Sequence, residues 1–242
     1  MPKADKLMKP KLKPKSKIAP VAVDQLLLAE RLSAGATQLG IALTAAQQAQ
    51  LLQFLALLAQ WNQIYNLTAV RDPLEMVARH LLDSLAIAPY LDGDMVLDLG
   101  TGAGLPGLPL AIIEPERQFV LLDSNSKKIR FVRQAIMELA LPNVTPVQAR
   151  IEHYRAAQPF TTIVSRAVAD ADIVGVLHGG LLAPAGRLLL MKGRLDALPD
   201  QLPATMRRIH RLQIPFLDVA RHVIEISHDS SHPNIIKMHE LR

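Results

Sequence analysis

A cluster of glycines follows a short apolar run near the middle of the chain. The run MVLDL occupies residues 95–99, and a helical pattern, PGLPLAII, begins at residue 106. Glycines between a strand and a helix let the backbone turn tightly and let a ligand approach main-chain N–H groups, and the helix N-terminus favours an anionic group. The sequence therefore predicts a strand–loop–helix ligand site, whose glycines are Gly100, Gly102, Gly104 and Gly107.

Strand and helix patterns alternate along the chain after this loop. Such alternation predicts a parallel sheet with right-handed crossovers, and so an α/β fold. The end differs, because RIHRLQIP (208–215) and RHVIEIS (221–227) are strand patterns joined by a short loop, which predicts an antiparallel hairpin. The other predicted strands are MVLDL (95–99), QFVLLD (118–123), NVTPVQA (143–149), FTTIVSRAV (160–168) and GRLLLMKG (186–193), with helices at 106–113, 124–141 and 171–182.

The segment before the first strand has helical patterns. VDQLLLAERLS (23–33) predicts a short amphipathic helix that ends near Gly35 and Gly40. Thr44 is a predicted N-cap for the long apolar helical pattern that follows it, and Pro73 is placed for the first turn of a further helix. A helical segment therefore precedes the sheet.

The positive charge of the chain is concentrated in its first 20 residues. The 242 residues have a formal net charge of +5, yet residues 1–20 contain seven lysines against one aspartate, a balance of +6. The remaining 222 residues carry 20 basic and 21 acidic groups. With four prolines and few apolar residues, the tail is predicted to be disordered and to adhere weakly to nucleic acid. A solubilising segment, or a poorly chosen start of the reading frame, is the alternative.

The composition excludes several classes of protein. The chain has no cysteine, which excludes a disulfide scaffold, a thiolate metal site and a cysteine nucleophile. No apolar run approaches the roughly 18–20 residues that span a bilayer, and the basic N-terminus lacks an apolar signal core. We therefore expect a cytoplasmic protein with no membrane partner, and no pattern implies a metal.

The glycine loop is compatible with two classes of cofactor, a dinucleotide and S-adenosylmethionine. The stretch from Gly102 to Gly107 matches the dinucleotide pattern G-x-G-x-x-G, which alone is a weak signal. S-adenosylmethionine is favoured because Asp98 lies two residues before the first glycine, where it could serve a methionine ammonium and would suit a pyrophosphate poorly. Asp123, at the end of the second strand, can accept both hydroxyls of a ribose. The terminal hairpin suits a seven-stranded methyltransferase sheet, and a glycine turn without a ligand is the remaining alternative.

A set of seven motifs occurs in an order and spacing that resembles a known family. The chain is similar over about residues 24–227 to the bacterial small-subunit rRNA guanine-N7 methyltransferases, also called the glucose-inhibited division protein B family. Ser126 stands where this family usually has glycine, and Val168 where phenylalanine is common, and neither change removes a polar site group. The motifs are WNQIYNLTAVRD (61–72), RHLLDSL (79–85), DLGTGAGLPGLPLAI (98–112), LLDSNSKKIRFVR (121–133), ARIEHY (149–154), SRAVA (165–169) and MKG (191–193).

The resemblance implies a Rossmann-like class I methyltransferase fold with an N-terminal helical cap. It also implies S-adenosylmethionine as the methyl donor and 16S rRNA, free or in a small-subunit particle, as the substrate. We divide the chain accordingly into the tail at 1–20, the helical cap at 21–92, the S-adenosylmethionine-binding domain at 93–228 and a C-terminal tail at 229–242. The family motifs assign Gly100, Leu105, Ile151, Glu152 and Arg166 to the cofactor, and these join Asp98, Gly102, Gly104 and Asp123.

The residues also narrow the position of methylation. Methylation of pyrimidine carbon 5 needs a cysteine nucleophile, and the chain has none. Exocyclic amine methylation commonly uses an Asn/Asp-Pro-Pro-aromatic loop after the fourth strand, where this chain reads Ser165-Arg166-Ala-Val. Guanine N7 carries a lone pair and no proton, so positioning without a general base can supply the catalysis. A methyltransferase for a small molecule or protein, and a nucleotide-binding module without activity, are the alternatives.

Four residues are candidates for positioning the substrate. Arg79 and Asp83, and likewise His80 and Ser84, are four apart in a predicted helix, so each pair would share a face. Lys192 follows the strand GRLLLM, at the carboxyl edge where ligands bind in such sheets. A helix-surface network and a solvated strand end are the alternatives. The candidates are therefore Arg79, His80, Asp83 and Lys192, and no catalytic base is assigned.

Overall fold

A computed structural model describes residues 25–166, 176, 180–193 and 207–227 of the chain. The predicted lysine-rich tail, most of the helix predicted at 171–182 and the C-terminal tail at 229–242 lie outside these residues. The described part contains every candidate site residue and the predicted strands, apart from residues 167–168 of the strand predicted at 160–168. Among the helices in these ranges, none combines the length and the apolar character needed to cross a membrane.

A seven-stranded sheet lies at the centre of the protein. Its strands are β1 (Met95–Leu99), β2 (Gln118–Asp123), β3 (Val144–Gln148), β4 (Phe160–Ser165), β5 (Leu182–Lys192), β6 (Arg207–Leu212) and β7 (Arg221–Ser227). Their order across the sheet is β3-β2-β1-β4-β5-β7-β6. Strands β1 to β5 are parallel to one another, whereas β7 is antiparallel to both β5 and β6. The predicted α/β fold, with a Rossmann-like parallel sheet and a C-terminal antiparallel hairpin, is confirmed.

The central strands are buried on both faces, which explains their continuous apolar sequences. Four of the five residues of β1 and five of the six residues of β4 are buried. Parallel strands covered on both faces have apolar runs rather than alternating patterns. In contrast, β6 forms one edge of the sheet and carries Arg207, Arg208 and Arg211. Charged side chains on an edge strand discourage pairing with another chain.

Helices precede the sheet, as predicted. Thr44 is the N-cap of the second helix, because its Oγ1 accepts a hydrogen bond from the Gln47 backbone N–H at 3.2 Å. The Gln47 side chain in turn accepts from the Thr44 backbone N–H at 2.9 Å, which completes a capping box. The helices are α1 (Gln25–Gln38), α2 (Ala45–Tyr65), α3 (Pro73–Met76), a π-helical segment (Val77–Leu82), α4 (Asp83–Leu85) and a 3₁₀ turn (Ala88–Tyr90).

Helix α1 ends between the two glycines that the sequence predicts near its end. The helix continues through Gln38, past Gly35 and short of Gly40. Gly35 lies inside the helix at a point of close approach, because a Cβ atom there would come within 2.3 Å of Leu82 Cδ1 in the π-helical segment. Glycine inside a helix costs up to about 1 kcal/mol relative to alanine. Close packing of two helices therefore outweighs local propensity at this position.

One hydrophobic core joins the preceding helices to the sheet. Two further helices, α5 (Gly107–Ile113) and α6 (Ser126–Glu138), follow β1 and β2 in the chain. Buried side chains from the cap, the sheet and α6 belong to a single cluster, so the core is continuous across the predicted boundary after residue 92. The division into domains stays a prediction. Representative members of the core are Leu32, Phe54, Leu81, Phe119 and Phe131.

Candidate active site

A cavity of about 300 Å³ lies at the carboxyl ends of β1 and β2. Ligands of parallel α/β sheets bind at this edge, because the strand-to-helix loops converge there. Four of the predicted cofactor residues line this cavity, namely Gly100, Asp123, Ile151 and Glu152. The other lining residues are Leu99, Leu122, Ser124, Lys128, Ala149 and Arg150.

The glycine loop is hydrogen-bonded to β2 and adopts backbone conformations that favour glycine. The backbone N–H groups of Gly100 and Thr101 both donate to the Leu122 carbonyl oxygen, at 2.8 and 3.0 Å. Gly100 and Gly102 have φ angles of +69° and +58°, in the left-handed region where side chains are strained. Gly104 has a φ angle of +77°, and a Cβ atom there would also collide with a leucine of α5. The loop is thus the tight turn that the glycine spacing predicts.

Asp98 lies beneath the loop and not on the cavity wall. Its side chain is fully buried, and its Oδ2 accepts hydrogen bonds from Thr101 Oγ1 at 2.6 Å and from the Gly107 N–H at 2.8 Å. A Cβ atom at Gly107 would lie 2.7 Å from this oxygen, so the contact requires glycine. Burial raises the pKa of Asp98 to about 6, although the two hydrogen bonds oppose that shift. Asp98 therefore holds the loop, and its contact with a methionine ammonium stays a prediction.

Asp123 ends β2 and lines the cavity. Its Oδ2 accepts a hydrogen bond from the Gly102 N–H at 2.9 Å, and its Oδ1 accepts from the Asn125 N–H at 2.8 Å. Lys128 Nζ lies 3.5 Å from Oδ2 and lines the same cavity. Each carboxylate oxygen can accept more than one hydrogen bond, so Asp123 keeps capacity for ligand hydroxyls. Its backbone contacts fix the orientation in which those hydroxyls would be received.

The donor and acceptor groups of the cavity fit S-adenosylmethionine. Asp123 brings a carboxylate to the cavity, which suits ribose hydroxyls, and Glu152 lines the cavity with it. Ala149 and Ile151 add apolar surface beside them, which suits the faces of an adenine ring. Leu105 and Gly104 do not line the cavity, because both are buried within the loop.

A buried carboxylate joins two arginines on the other side of β1. Asp83, in α4, is 2% exposed, and its Oδ2 lies 3.4 Å from Arg166 Nη2. Its Oδ1 accepts a hydrogen bond from Arg221 Nε at 3.1 Å. Arg166 follows β4 and Arg221 begins β7, and β5 lies between these strands, so Asp83 bridges the two strands that flank β5. Arg166 Nη2 also donates to the Arg79 carbonyl oxygen at 3.4 Å.

His80 is buried within the π-helical segment and does not line the cavity. Its Nε2 lies 2.9 Å from Thr68 Oγ1, and Ser84 Oγ donates to its backbone carbonyl oxygen at 2.5 Å. Burial, followed by the charge of Arg166, lowers the pKa of His80 to about 4. The imidazole is therefore neutral at pH 7.

Arg79 and Asp83 do not pair, although their spacing predicts a shared helix face. Arg79 Nε lies 3.7 Å from Glu75 Oε2, whereas Asp83 contacts arginines that belong to the ends of two strands. Arg79 belongs to the π-helical segment Val77–Leu82, in which i→i+5 hydrogen bonds replace i→i+4 bonds. Single π-helical turns frequently occur at functional sites.

Lys192 ends β5 at the sheet edge where Arg166 follows β4. Leu190 of β5 is in register with Ser165 of β4, which brings the two strand ends together. Lys192 is directly opposite His222 of β7. The predicted placement of Lys192 and Arg166 at one edge agrees with this register, while their roles stay predictions.

Sequence reasoning did not single out Lys128 or Arg221. Lys128 lies in the first turn of α6, whose N-cap Asn125 accepts from its backbone N–H at 3.4 Å. A lysine five residues after the acid that ends β2 is a signal that could have identified it. Arg221 has no comparable signal, because its contact with Asp83 joins residues 138 positions apart.

Comparisons with known proteins give consistent results. The family described as rRNA small subunit methyltransferase G matches residues 47–224. The chain is 50% identical over 197 residues to the ribosomal RNA small subunit methyltransferase G of Methylococcus capsulatus, which covers 81% of this chain and 96% of that protein. It is 46% identical over 203 residues to the protein of the same name from Aeromonas salmonicida, covering 82% and 97%. Among solved structures, TrmN from Thermus thermophilus aligns with a TM-score of 0.47 and 20% identity, covering 62% of this chain and 53% of that chain. The family resemblance found from the motifs is confirmed.

Proposed function

Because the chain belongs to the rRNA small subunit methyltransferase G family, we propose that it transfers a methyl group from S-adenosylmethionine to N7 of a guanine in 16S rRNA. We propose that the acceptor is the rRNA, free or within a small-subunit particle, and that the reaction occurs in the cytoplasm. Family membership supports the cofactor and the class of RNA. The choice of N7 depends on the side chains near the end of β4.

The cavity residues are assigned to binding of the methyl donor. S-adenosylmethionine, when bound, supplies an electrophilic methyl group on a sulfonium. Asp123 accepts hydrogen bonds from ribose hydroxyls, and Ile151 and Glu152 lie beside the adenine. Gly100 lines the cavity and permits close approach of the ligand to the backbone, Gly102 orients Asp123 through its N–H, and Asp98 holds the loop from below.

The observation that carries the N7 assignment is that the nearby acids and imidazole are buried. Asp83 contacts two guanidinium groups, Asp98 is held beneath the loop, and His80 is hydrogen-bonded to Thr68 through Nε2. Within the described ranges these three side chains are at most 5% exposed, so none is open to a proton on a substrate. Guanine N7 has a lone pair and no proton, so its methylation needs positioning and not a base. An exocyclic amine would need a proton acceptor during the transfer.

Arg166 is proposed to connect the cofactor site to the acceptor site. Its charge contributes to lowering the pKa of both His80 and Asp98, so the guanidinium lies close to the π-helical segment and to the glycine loop. Its contact with Asp83 fixes it at the end of β4. Substitution of Arg166 should therefore impair cofactor placement, and lysine should not restore it because the planar fork is lost.

Transfer of labelled methyl groups to 16S rRNA, followed by borohydride–aniline cleavage, tests the proposal. This treatment cuts RNA at N7-methylguanine, so the native protein should give labelled rRNA with a cleavable position. Asp123→Ala should weaken cofactor binding by about 10- to 100-fold, because charge-assisted hydrogen bonds are lost. Glu116→Ala is the matched control, since Glu116 is an exposed acid outside the cavity.

Different failures of this experiment separate the alternatives. Labelled rRNA without a cleavable position contradicts N7 and leaves rRNA methylation intact. Cofactor binding without label in any small-subunit RNA favours a small-molecule or protein substrate, or a module without activity. Tight NAD binding without S-adenosylmethionine binding contradicts the cofactor assignment.

A further inference from the structure

Three basic residues lie side by side across the last three strands of the sheet. Lys192 of β5 is directly opposite His222 of β7, and His222 is directly opposite Arg211 of β6. Residues directly opposite in antiparallel strands project from the same face, with Cβ atoms about 4.5–5.5 Å apart. We name Lys192, His222 and Arg211 the basic row.

The basic row has no acidic partner in the part of the chain that the structure describes. On the opposite face of the same strands, Arg187 and His210 lie 3.5 and 2.8 Å from the Glu225 carboxylate. Arg221, also on that face, contacts Asp83 at 3.1 Å. The two faces therefore differ, because acids contact the basic residues on one face, whereas on the other face no acid among the described residues contacts the row, which leaves it to attract an anion.

The accessibility of the row suits a ligand outside the sheet. Arg211 is exposed, and Lys192 and His222 are half-buried. His222 Nδ1 is buried and has no hydrogen-bond partner among the described residues. Because hydrogen-bonded strands are about 4.8 Å apart, the row extends for about 10 Å along the sheet edge. This extended geometry suits a chain of phosphates better than a single small anion.

The row also lies at the edge that carries the cofactor loop. Lys192 ends β5, and β5 is separated from β1 by β4 alone. Two strand spacings place the start of the row about 10 Å from the strand that leads into the glycine loop. A nucleotide chain that delivers a base to this edge would therefore pass within reach of the row.

We propose that the basic row binds the phosphate backbone of the RNA substrate beside the methylated nucleotide. This inference rests on the proposed function, because it takes the substrate to be an RNA. Lysine and arginine contacts to phosphates fix the register of a nucleic acid without reading its sequence. The row is thus a positioning surface, and its contribution must depend on salt, since phosphate neutralisation releases bound counterions.

The salt dependence of RNA affinity tests the basic row in the full-length protein. Filter binding to 16S rRNA fragments over a range of salt should give a shallower slope of log affinity against log salt for Lys192→Gln/Arg211→Gln. The expected reduction is about 1.4 for single-stranded contacts and about 1.8 for duplex contacts. Lys192→Arg/Arg211→Lys keeps both charges and should keep the slope. Calorimetry should show unchanged S-adenosylmethionine affinity in each variant.

A matched pair of single variants controls for general charge. Arg211→Gln and Arg208→Gln each remove one exposed arginine from β6, but Arg208 projects from the opposite face, where it is directly opposite Glu225. Only Arg211→Gln should flatten the slope. Equal slopes for the double variant and the native protein, equal effects of the two single variants, or no RNA binding by the native protein would each overturn the inference. If the native protein methylates the RNA but the variants keep its salt slope, only the role of the basic row is rejected. If the variants have shallower salt slopes but the native protein transfers no methyl group, only the proposed function is rejected.

Discussion

Asp98 holds the glycine loop with a carboxyl group whose ionisation is disfavoured by burial. Its pKa is raised from 3.8 to about 6, so the native state keeps this proton at a pH where the unfolded chain has lost it. Between about pH 4 and 6 the native state therefore binds more protons than the unfolded state. The free energy of unfolding falls as the pH rises through this window and stays lower above it. The total effect is on the order of 3 kcal/mol, since one pKa unit corresponds to about 1.4 kcal/mol.

Asp98→Asn should remove this loss of stability at neutral pH. Asparagine keeps an oxygen that can accept from Thr101 and Gly107, but it does not ionise. In urea unfolding from pH 4 to 7, the difference between the variant and the native protein should grow in favour of the variant. His80 titrates in both proteins and cancels in this difference. Asp94→Asn, at an exposed position, is the control, and parallel curves for Asp98→Asn and the native protein would contradict the prediction.

Elements with strong local signals have the bounds that the sequence predicts, whereas elements shaped by packing do not. The predicted strands at 95–99, 118–123 and 221–227 coincide with β1, β2 and β7. The π-helical winding of Val77–Leu82 was not predicted, and Leu82 packs against Gly35 of α1. A sequence pattern shows the period of a helix but does not show which distant residues pack against it.

The N-terminus of α2 offers a test of an element that was predicted correctly. Thr44→Ala removes the side-chain cap and should lower the free energy of unfolding by about 1 kcal/mol, which corresponds to about 2–4 °C in Tm for a protein of this size. Gln47 of the same capping box also donates to the Ile113 carbonyl oxygen at 3.3 Å, so the loss should loosen the end of α5. Thr37→Ala is the matched control, because the Thr37 hydroxyl bonds only within α1. Equal losses in thermal unfolding for both variants would argue against a capping effect.

At the level of the whole molecule, the site depends on contacts that no local pattern contains. The cofactor loop follows β1 and Asp123 ends β2, so the order of elements suffices to predict that they lie close together. The contact between Asp83 and Arg221 spans 138 positions and depends on β7 lying next to β5. The basic row likewise exists only through the register of three strands. Sequence reasoning therefore finds the cofactor side of the site more completely than the substrate side.

Charge is distributed unevenly along the chain, and this distribution predicts which part of the protein attracts RNA. Residues 1–20 have a balance of +6, while the remainder has 20 basic and 21 acidic groups, so the near-neutral remainder supplies little long-range attraction. Deleting residues 1–20 should weaken RNA binding most at low salt. It should also reduce the slope of log affinity against log salt by up to about 5 if all seven lysines contact single-stranded phosphates.

A tail of the same composition in scrambled order should restore the slope, because the effect depends on charge and not on sequence, and cofactor affinity should remain unchanged. Filter binding of the deleted protein with the same slope as the intact chain would assign RNA attraction to the remainder alone. The further loss caused by Lys192→Gln/Arg211→Gln should persist after the deletion, since the tail and the basic row would contact separate phosphates and their effects on log affinity would add.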